Sequence, residues 1–276
     1  MDAKATTDGH TGVRLPASLS ALLEALGQTA RFVGRFFRQV FVPPYELGEV
    51  VRQCYLIGNG SLLLVGLTAF IMGLVLALQS LPTLEDFGAE SMAPSMVSIS
   101  VVREIGPVIT AIICAGKVGS SIGAELAGMR VTEQIDAMEV SAVNPFKYLV
   151  VSRVLACTLM LPLLVVYADA ISLLGGLAGV NIYGDTSWVL YKSHVFASVE
   201  FYDLVPALIK SVFFGFFIGI ASCVAGYNAT NGTEGVGQAA NSAVVASILW
   251  VFVLDMLAVQ ITNVAYELYF APSITL

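Results

Sequence analysis

Charge is scarce in this chain. Only 12% of its 276 residues are Asp, Glu, Lys or Arg, while 57% are hydrophobic. A soluble domain of this length buries a sizeable core with far less apolar content, so the composition points to a polytopic membrane protein. A basic excess is also missing. The net charge is −7 and the acidic residues are spread along the chain, which leaves no basic patch for nucleic acid. Histidine is nearly absent: His10 and His194 are far apart and neither has a ligand partner nearby, which argues against a zinc or His-based catalytic site. The four cysteines, Cys54, Cys114, Cys157 and Cys223, form no CxxC or Cys/His spacing, and three lie in apolar runs where thiols act as inert packing groups. No GxxxxGK[ST] phosphate loop occurs. Gly116-Lys117 is followed by Val118, and the glycine required five residues before Gly116 is lacking, so this chain does not hydrolyse ATP by that mechanism. A cleavable signal peptide is not expected either, because Asp2 and Asp8 sit where a signal is basic and the first apolar run starts late.

What the chain does have is a series of long apolar runs. Residues 1–16 are polar and read as a flexible tail. Over 17–44, Leu19, Leu22, Leu23, Leu26, Ala30, Val33 and Phe37 recur at helical spacing, with Arg31, Arg35 and Arg38 on another face. That pattern predicts an amphipathic helix lying in the membrane interface, ended by Pro43-Pro44; a helix packed on the rest of the protein is the alternative. The remainder, 45–276, reads as one five-span domain. Its spans are expected near 56–81 (ended by Pro82), 92–115, 155–182, 205–227 and 243–264, since ~20 apolar residues cross a bilayer. An aromatic, partly polar loop is expected at 183–206 and a small-residue loop at 228–241.

Lys and Arg set the orientation. Residues 1–52 carry six and residues 117–153 carry four, whereas loop 82–95 and the C-terminus have none. The positive-inside rule places the N-terminus and the 117–153 segment in the cytoplasm, and five spans leave the C-terminus outside.

Between the second and third spans lies GKVGSSIGAELAGMRVTEQIDAMEV, residues 116–140, a polar and glycine-rich interruption. Its first half is full of small residues and continues the second span; close helix packing is the default reading of such a run. In its second half Val131, Ile135, Met138 and Ala142 align as a thin apolar stripe, with Thr132 placed to cap and Glu133 at the positive end of the dipole. This predicts a short cytoplasmic helix of about three turns, stopped by Asn144-Pro145, that either docks a partner or packs beneath the bundle.

Charges inside spans cost at least ~2.5 kcal/mol each on insertion scales and therefore face cavities or partners. Arg103 and Glu104 precede Gly106-Pro107, where a kink or local opening is expected. Adjacent on a helix, they point in different directions and each needs its own neighbour; Asp169, Lys210 and Asp255 are the candidates. They form either a structural network or a headgroup or gating site beside Pro107. Leu74, Leu78 and Leu81 are candidates to line an acyl-chain path.

The run GSSIGAELAGMRVTEQIDAMEV, with Arg103-Glu104-Ile105-Gly106-Pro107 upstream and Asn144-Pro145 downstream, resembles the MlaE family of ABC-transporter permeases, the membrane subunits of MCE-type lipid transport systems. The resemblance covers roughly residues 45–265. It implies an all-α integral membrane protein with five transmembrane helices, an N-terminal interfacial helix and a coupling helix that sits in a groove of a cytoplasmic ATPase. That coupling role falls by resemblance on Arg130, Thr132, Glu133, Gln134, Asp136, Met138 and Glu139, and a lipid path or gating role on Arg103, Glu104 and Pro107, with Leu74, Leu78, Leu81 and Asp255 beside them. It further implies a homodimer, no cofactor on this chain, ATP and magnesium on the partner ATPase, a periplasmic MCE-domain partner and phospholipid as cargo. A STAS-like module, carried by some family members, would here be a separate chain. Two other readings stay open from the residues alone: an ion- or proton-coupled secondary transporter using Glu104, Asp169 and Asp255, and an ATP-independent lipid-protein scaffold.

Overall fold

The structure, a computed structural model, describes residues 17–43, 45–183, 187–230 and 232–270. The tail at 1–16, Pro44, residues 184–186, Asn231 and residues 271–276 lie outside the described residues, as do the side chains of Leu19, Leu22, Leu23 and Leu26. The described elements are helical: α1 (Ala17–Val40), α2 (Leu47–Asp86), α3 (Glu90–Val131), α4 (Gln134–Val140), α5 (Phe146–Ile182), α6 (Trp188–Ser198), α7 (Phe201–Tyr227) and α8 (Gly232–Phe270). Of these, α2, α3, α5, α7 and α8 are long and apolar enough to cross a membrane, as the composition predicts.

The helices outrun the apolar stretches that announce them. At ~1.5 Å per residue, the 40 residues of α2 extend about 60 Å, twice the ~30 Å of a hydrocarbon core. Hydropathy marks what fits in lipid and not where backbone hydrogen bonding stops, and three expectations fail for that reason. Pro82 does not end the first span; it lies inside α2, which continues to Asp86. The loop expected at 228–241 is mostly helix: the glycine-rich run 232–237 forms the first turns of α8. The segment 183–206 holds a further helix, α6. Its Tyr191 is buried and donates from its hydroxyl to the Leu173 carbonyl at 3.0 Å, while Ser198 meets Ser98 of α3 at 3.0 Å. Burial pushes the Tyr191 phenol up to about 12, so it stays neutral.

Glycines let the long helices approach closely. A Cβ at Gly73 of α2 would strike the Ser172 carbonyl of α5, and one at Gly175 would strike the Phe70 carbonyl. Side-chain-free contacts of this kind supply the van der Waals packing that holds helices together where lipid gives no hydrophobic drive. The main core is built from Phe146, Leu149, Val150, Val154, Leu161, Phe214 and Ile218, joining α5 and α7. Helix α1 packs on this core through Phe32 and Phe36, whose rings meet Phe146 and Phe216 at 4.9 and 5.5 Å. Phe37, on the same helix, sets its ring 5.7 Å from Phe216 and keeps half its surface exposed.

Candidate functional site

The segment read as a coupling helix is divided differently from expectation. α3 runs without a break through Arg130 to Val131, and α4 is only seven residues, about two turns and not three. Thr132 does not cap it. Its hydroxyl donates back to the Gly128 carbonyl at 2.8 Å, closing the end of α3, and the residue before α4 is Glu133 in a left-handed conformation (φ 59°). Ala142, expected on the apolar stripe, lies past the helix end and is left-handed as well (φ 59°). Two non-glycine residues at positive φ thus bracket α4, and such backbone persists only where the surroundings enforce it, at a cost of about 1–3 kcal/mol each.

Ile135 fixes α4 to the bundle; it is fully buried, and Met138 packs half-buried beside it. Arg130 ties the end of α3 to α4 by donating from Nη1 to Asp136 Oδ1 at 2.6 Å, and Gln134 donates to the Thr132 hydroxyl at 3.0 Å. Glu133, Gln134, Asp136 and Glu139 are exposed. The result is a rigid acidic knob with one apolar anchor. Nearby, Arg153 of α5 is buried and pairs with Glu125 of α3 at 2.8 Å, holding the two long helices in register at this end of the bundle.

A second group lies deeper in α3. Residues Val101–Ile105 form a π turn immediately before Gly106-Pro107. Pro107 has no N–H to offer the preceding turn, so the helix opens there, and the wider turn rotates Arg103 and Glu104 towards different helices. Arg103 Nε donates to Asp203 Oδ1 of α7 at 2.6 Å. Glu104 accepts from Lys210 Nζ of α7 at 2.6 Å, and the same ammonium donates to Asp255 Oδ1 of α8 at 3.1 Å. Each of the two neighbours therefore has its own partner, as the spacing requires. Lys210 and Asp203 are buried, whereas the Arg103 and Glu104 side chains keep 54% and 46% of their surface exposed. Those exposed halves line an open cleft of about 510 Å³ between α3, α7 and α8, together with Tyr202, Ala258 and Thr262.

Four candidates fall elsewhere. Asp169, proposed as a partner for these charges, pairs with none of them; both of its carboxyl oxygens are buried without a hydrogen-bond partner among the described residues. It abuts Gly106, where a Cβ would collide with the carboxylate, and its other side borders an apolar groove under α6. Leu74 is half-buried beneath Gly175 and Gly179 of α5, and Leu81 is buried in a smaller core with Val97 and Tyr191; neither lines the charged cleft, and Leu78 is half-buried between them along α2.

Asp203 is the residue the sequence reading missed, because the fourth span was started at 205. The available signal was Glu200-x-x-Asp203 before an apolar run. These residues form a capping box in which Asp203 Oδ2 accepts from the Glu200 N–H at 3.1 Å, leaving Oδ1 for Arg103.

The family described as Permease MlaE matches residues 50–261. A probable ABC transporter permease protein of Rickettsia prowazekii is 42% identical over 223 residues, covering 80% of this chain and 86% of that protein. A probable ABC transporter permease protein of Synechocystis is 34% identical over 240 residues, covering 86% and 90%. The intermembrane phospholipid transport system permease protein MlaE of Haemophilus influenzae is 35% identical over 216 residues, covering 77% and 82%.

Proposed function

Because the chain belongs to the MlaE family of ABC-transporter permeases, we propose that it moves phospholipid between a bacterial inner membrane and a periplasmic MCE-domain partner, powered by a separate ATPase. The N-terminus and α4 face the cytoplasm, the C-terminus faces the periplasm, and two copies pair around a shared path.

The observation that carries this reading is the half-open ion network at the π turn. A wholly buried network would serve structure alone. Here Arg103 and Glu104 are each bound to a buried partner yet present half their surface to the cleft. A zwitterionic headgroup matches that pair: the guanidinium takes the phosphate, and the carboxylate takes a headgroup amine. Lys210 remains held by Asp255 when Glu104 turns to cargo, so no buried cation is stranded. ATP-driven closure of two ATPase subunits draws the two α4 knobs together, favours the narrowed state of the cleft and expels the lipid towards the periplasmic partner. α4 suits this role because its acidic side chains are exposed while Ile135 anchors it in the main core beside the end of α3.

One observation favours a second reading. Asp169, a buried carboxyl group without a hydrogen-bond partner among the described residues, suits coupling to protons or ions. Reconstitution separates the two. With labelled phospholipid in proteoliposomes, movement is expected only when the ATPase subunit and ATP are both present. Movement by this chain alone, driven by a pH gradient, would overturn the ATP-driven reading.

A further inference from the structure

At the α4 end of the bundle, α1, the connection from α4 to α5 and the first turn of α5 enclose a crevice of about 740 Å³. Arg35, Arg38 and Lys147 line it, with Gln39, Glu46 and Asn144. Three cations thus face one carboxylate. Among the described residues no acidic side chain lies within ion-pair distance of any of the three, although Arg52, Arg103, Arg130, Arg153 and Lys210 each have one. The cations are instead held by groups that leave their charge intact. The Arg35 guanidinium lies 4.2 Å from the centre of the Phe146 ring, and buried Lys147 donates to the Val42 carbonyl and stands over the Tyr45 ring. A second, independent feature marks the same crevice: Gln39 Oε1 is buried and, among the described residues, has no hydrogen-bond partner. The crevice is preset for a guest that brings negative charge to the cations and a hydroxyl or N–H donor to the Gln39 oxygen.

The surroundings identify the guest. The crevice opens where α2 and α5 begin, and its lining includes exposed apolar side chains, Val42, Pro43 and Val143. A free anion would make no use of that apolar rim, whereas acyl chains would lie on it. Basic pockets at the ends of membrane helices suit anionic headgroups for this reason. We propose that the crevice holds the phosphate of an anionic phospholipid of the surrounding membrane, pinning α1 to the connection that follows α4. This site is separate from the Arg103–Glu104 cleft and shares no residue with it. It would set the angle of α4 through Ala142 and Asn144, and it stands whether or not the chain transports lipid.

The test is thermal unfolding of the full-length protein in detergent, titrated with short-chain phosphatidylglycerol, short-chain phosphatidylcholine and inorganic phosphate. Phosphatidylglycerol is expected to raise the midpoint, and the other two are not. R35Q/R38Q should weaken the apparent affinity for phosphatidylglycerol about thirty-fold, as expected for two cations near a membrane surface. R31Q, on the same helix but outside the crevice, should leave it unchanged, and R38K should retain most of it. An equal response to phosphatidylcholine or to phosphate, or an unchanged phosphatidylglycerol response in R35Q/R38Q, would overturn the proposal. So would an absent lipid response coupled to lost ATPase recovery in that variant, which would mark a site for an acidic protein segment. If R35Q/R38Q does not fold, R38Q keeps the Arg35–Phe146 contact. Native mass spectrometry should then find phosphatidylglycerol retained by the parent protein and lost from R38Q, and equal retention would contradict the assignment.

Discussion

The π-turn cleft and the α4 knob are built from the same residue types and behave as opposites. Around the cleft, two cations and three carboxylates join α3, α7 and α8, and the side chains of Lys210 and Asp203 are 6% and 3% exposed. On α4, the Arg130–Asp136 pair is 40% and 56% exposed. Both contain contacts of 2.6 Å, so distance does not distinguish them. Burial does. A partner removed from a buried pair strands a charge away from water, at about 3–5 kcal/mol, while an exposed pair is worth at most about 1 kcal/mol. In the cleft, buried Lys210 and Asp203 hold the fold while their half-exposed partners Glu104 and Arg103 face the opening; on α4 both members of the pair face outward and contribute little to folding.

The sharpest break in that contrast is Lys210→Met. It leaves half-exposed Glu104 and Asp255, 21% exposed, without their shared cation; solvent offsets part of the loss, so about 2–3 kcal/mol is expected, read as a fall in the thermal midpoint in detergent. Neutralising the stranded acids as well, in K210M/E104Q/D255N, should recover much of it. Gly106→Ala comes next. Its added methyl meets the Asp169 carboxylate, so a loss of about 1–3 kcal/mol is expected, relieved in part by G106A/D169A. If the two changes prove additive, Asp169 and Gly106 do not share a contact. Asp136→Asn is the smallest: less than about 1 kcal/mol by the same melting assay. A fall comparable with that of K210M would mean that α4 is a structural strut and not a free surface.

Much of this was legible in the residues. Five apolar runs imply five crossing helices, and the charge pair before Gly106-Pro107 implies an opened turn with separate partners for Arg103 and Glu104. The polar run after Gly128 implies a separate short helix, although that helix is confined to Gln134–Val140 and the run's first residues close α3. Less legible were features set by packing. Asp203 lay just outside an apolar run and was hidden by a boundary drawn on hydropathy. Asp169 looked like an ion-pair partner because charge in a span invites one, and only the fold reveals that Gly106 and an apolar groove surround it. Residues 228–241 looked like a loop because glycine is a poor helix former, yet the turns from Gly232 onward are helical under tertiary constraint. The left-handed residues Glu133 and Ala142 carry no sequence signal at all, since neither is glycine or asparagine.

The central claim is that α4 receives force from another chain. Glu133→Lys together with Asp136→Lys inverts the charge of its exposed face without touching Ile135, which anchors it. Pull-down of the tagged permease from cells expressing its ATPase should recover the ATPase in full from the parent protein and lose it from E133K/D136K, with both permeases melting at nearly the same temperature. Equal recovery from the double variant, at unchanged stability, would contradict the claim.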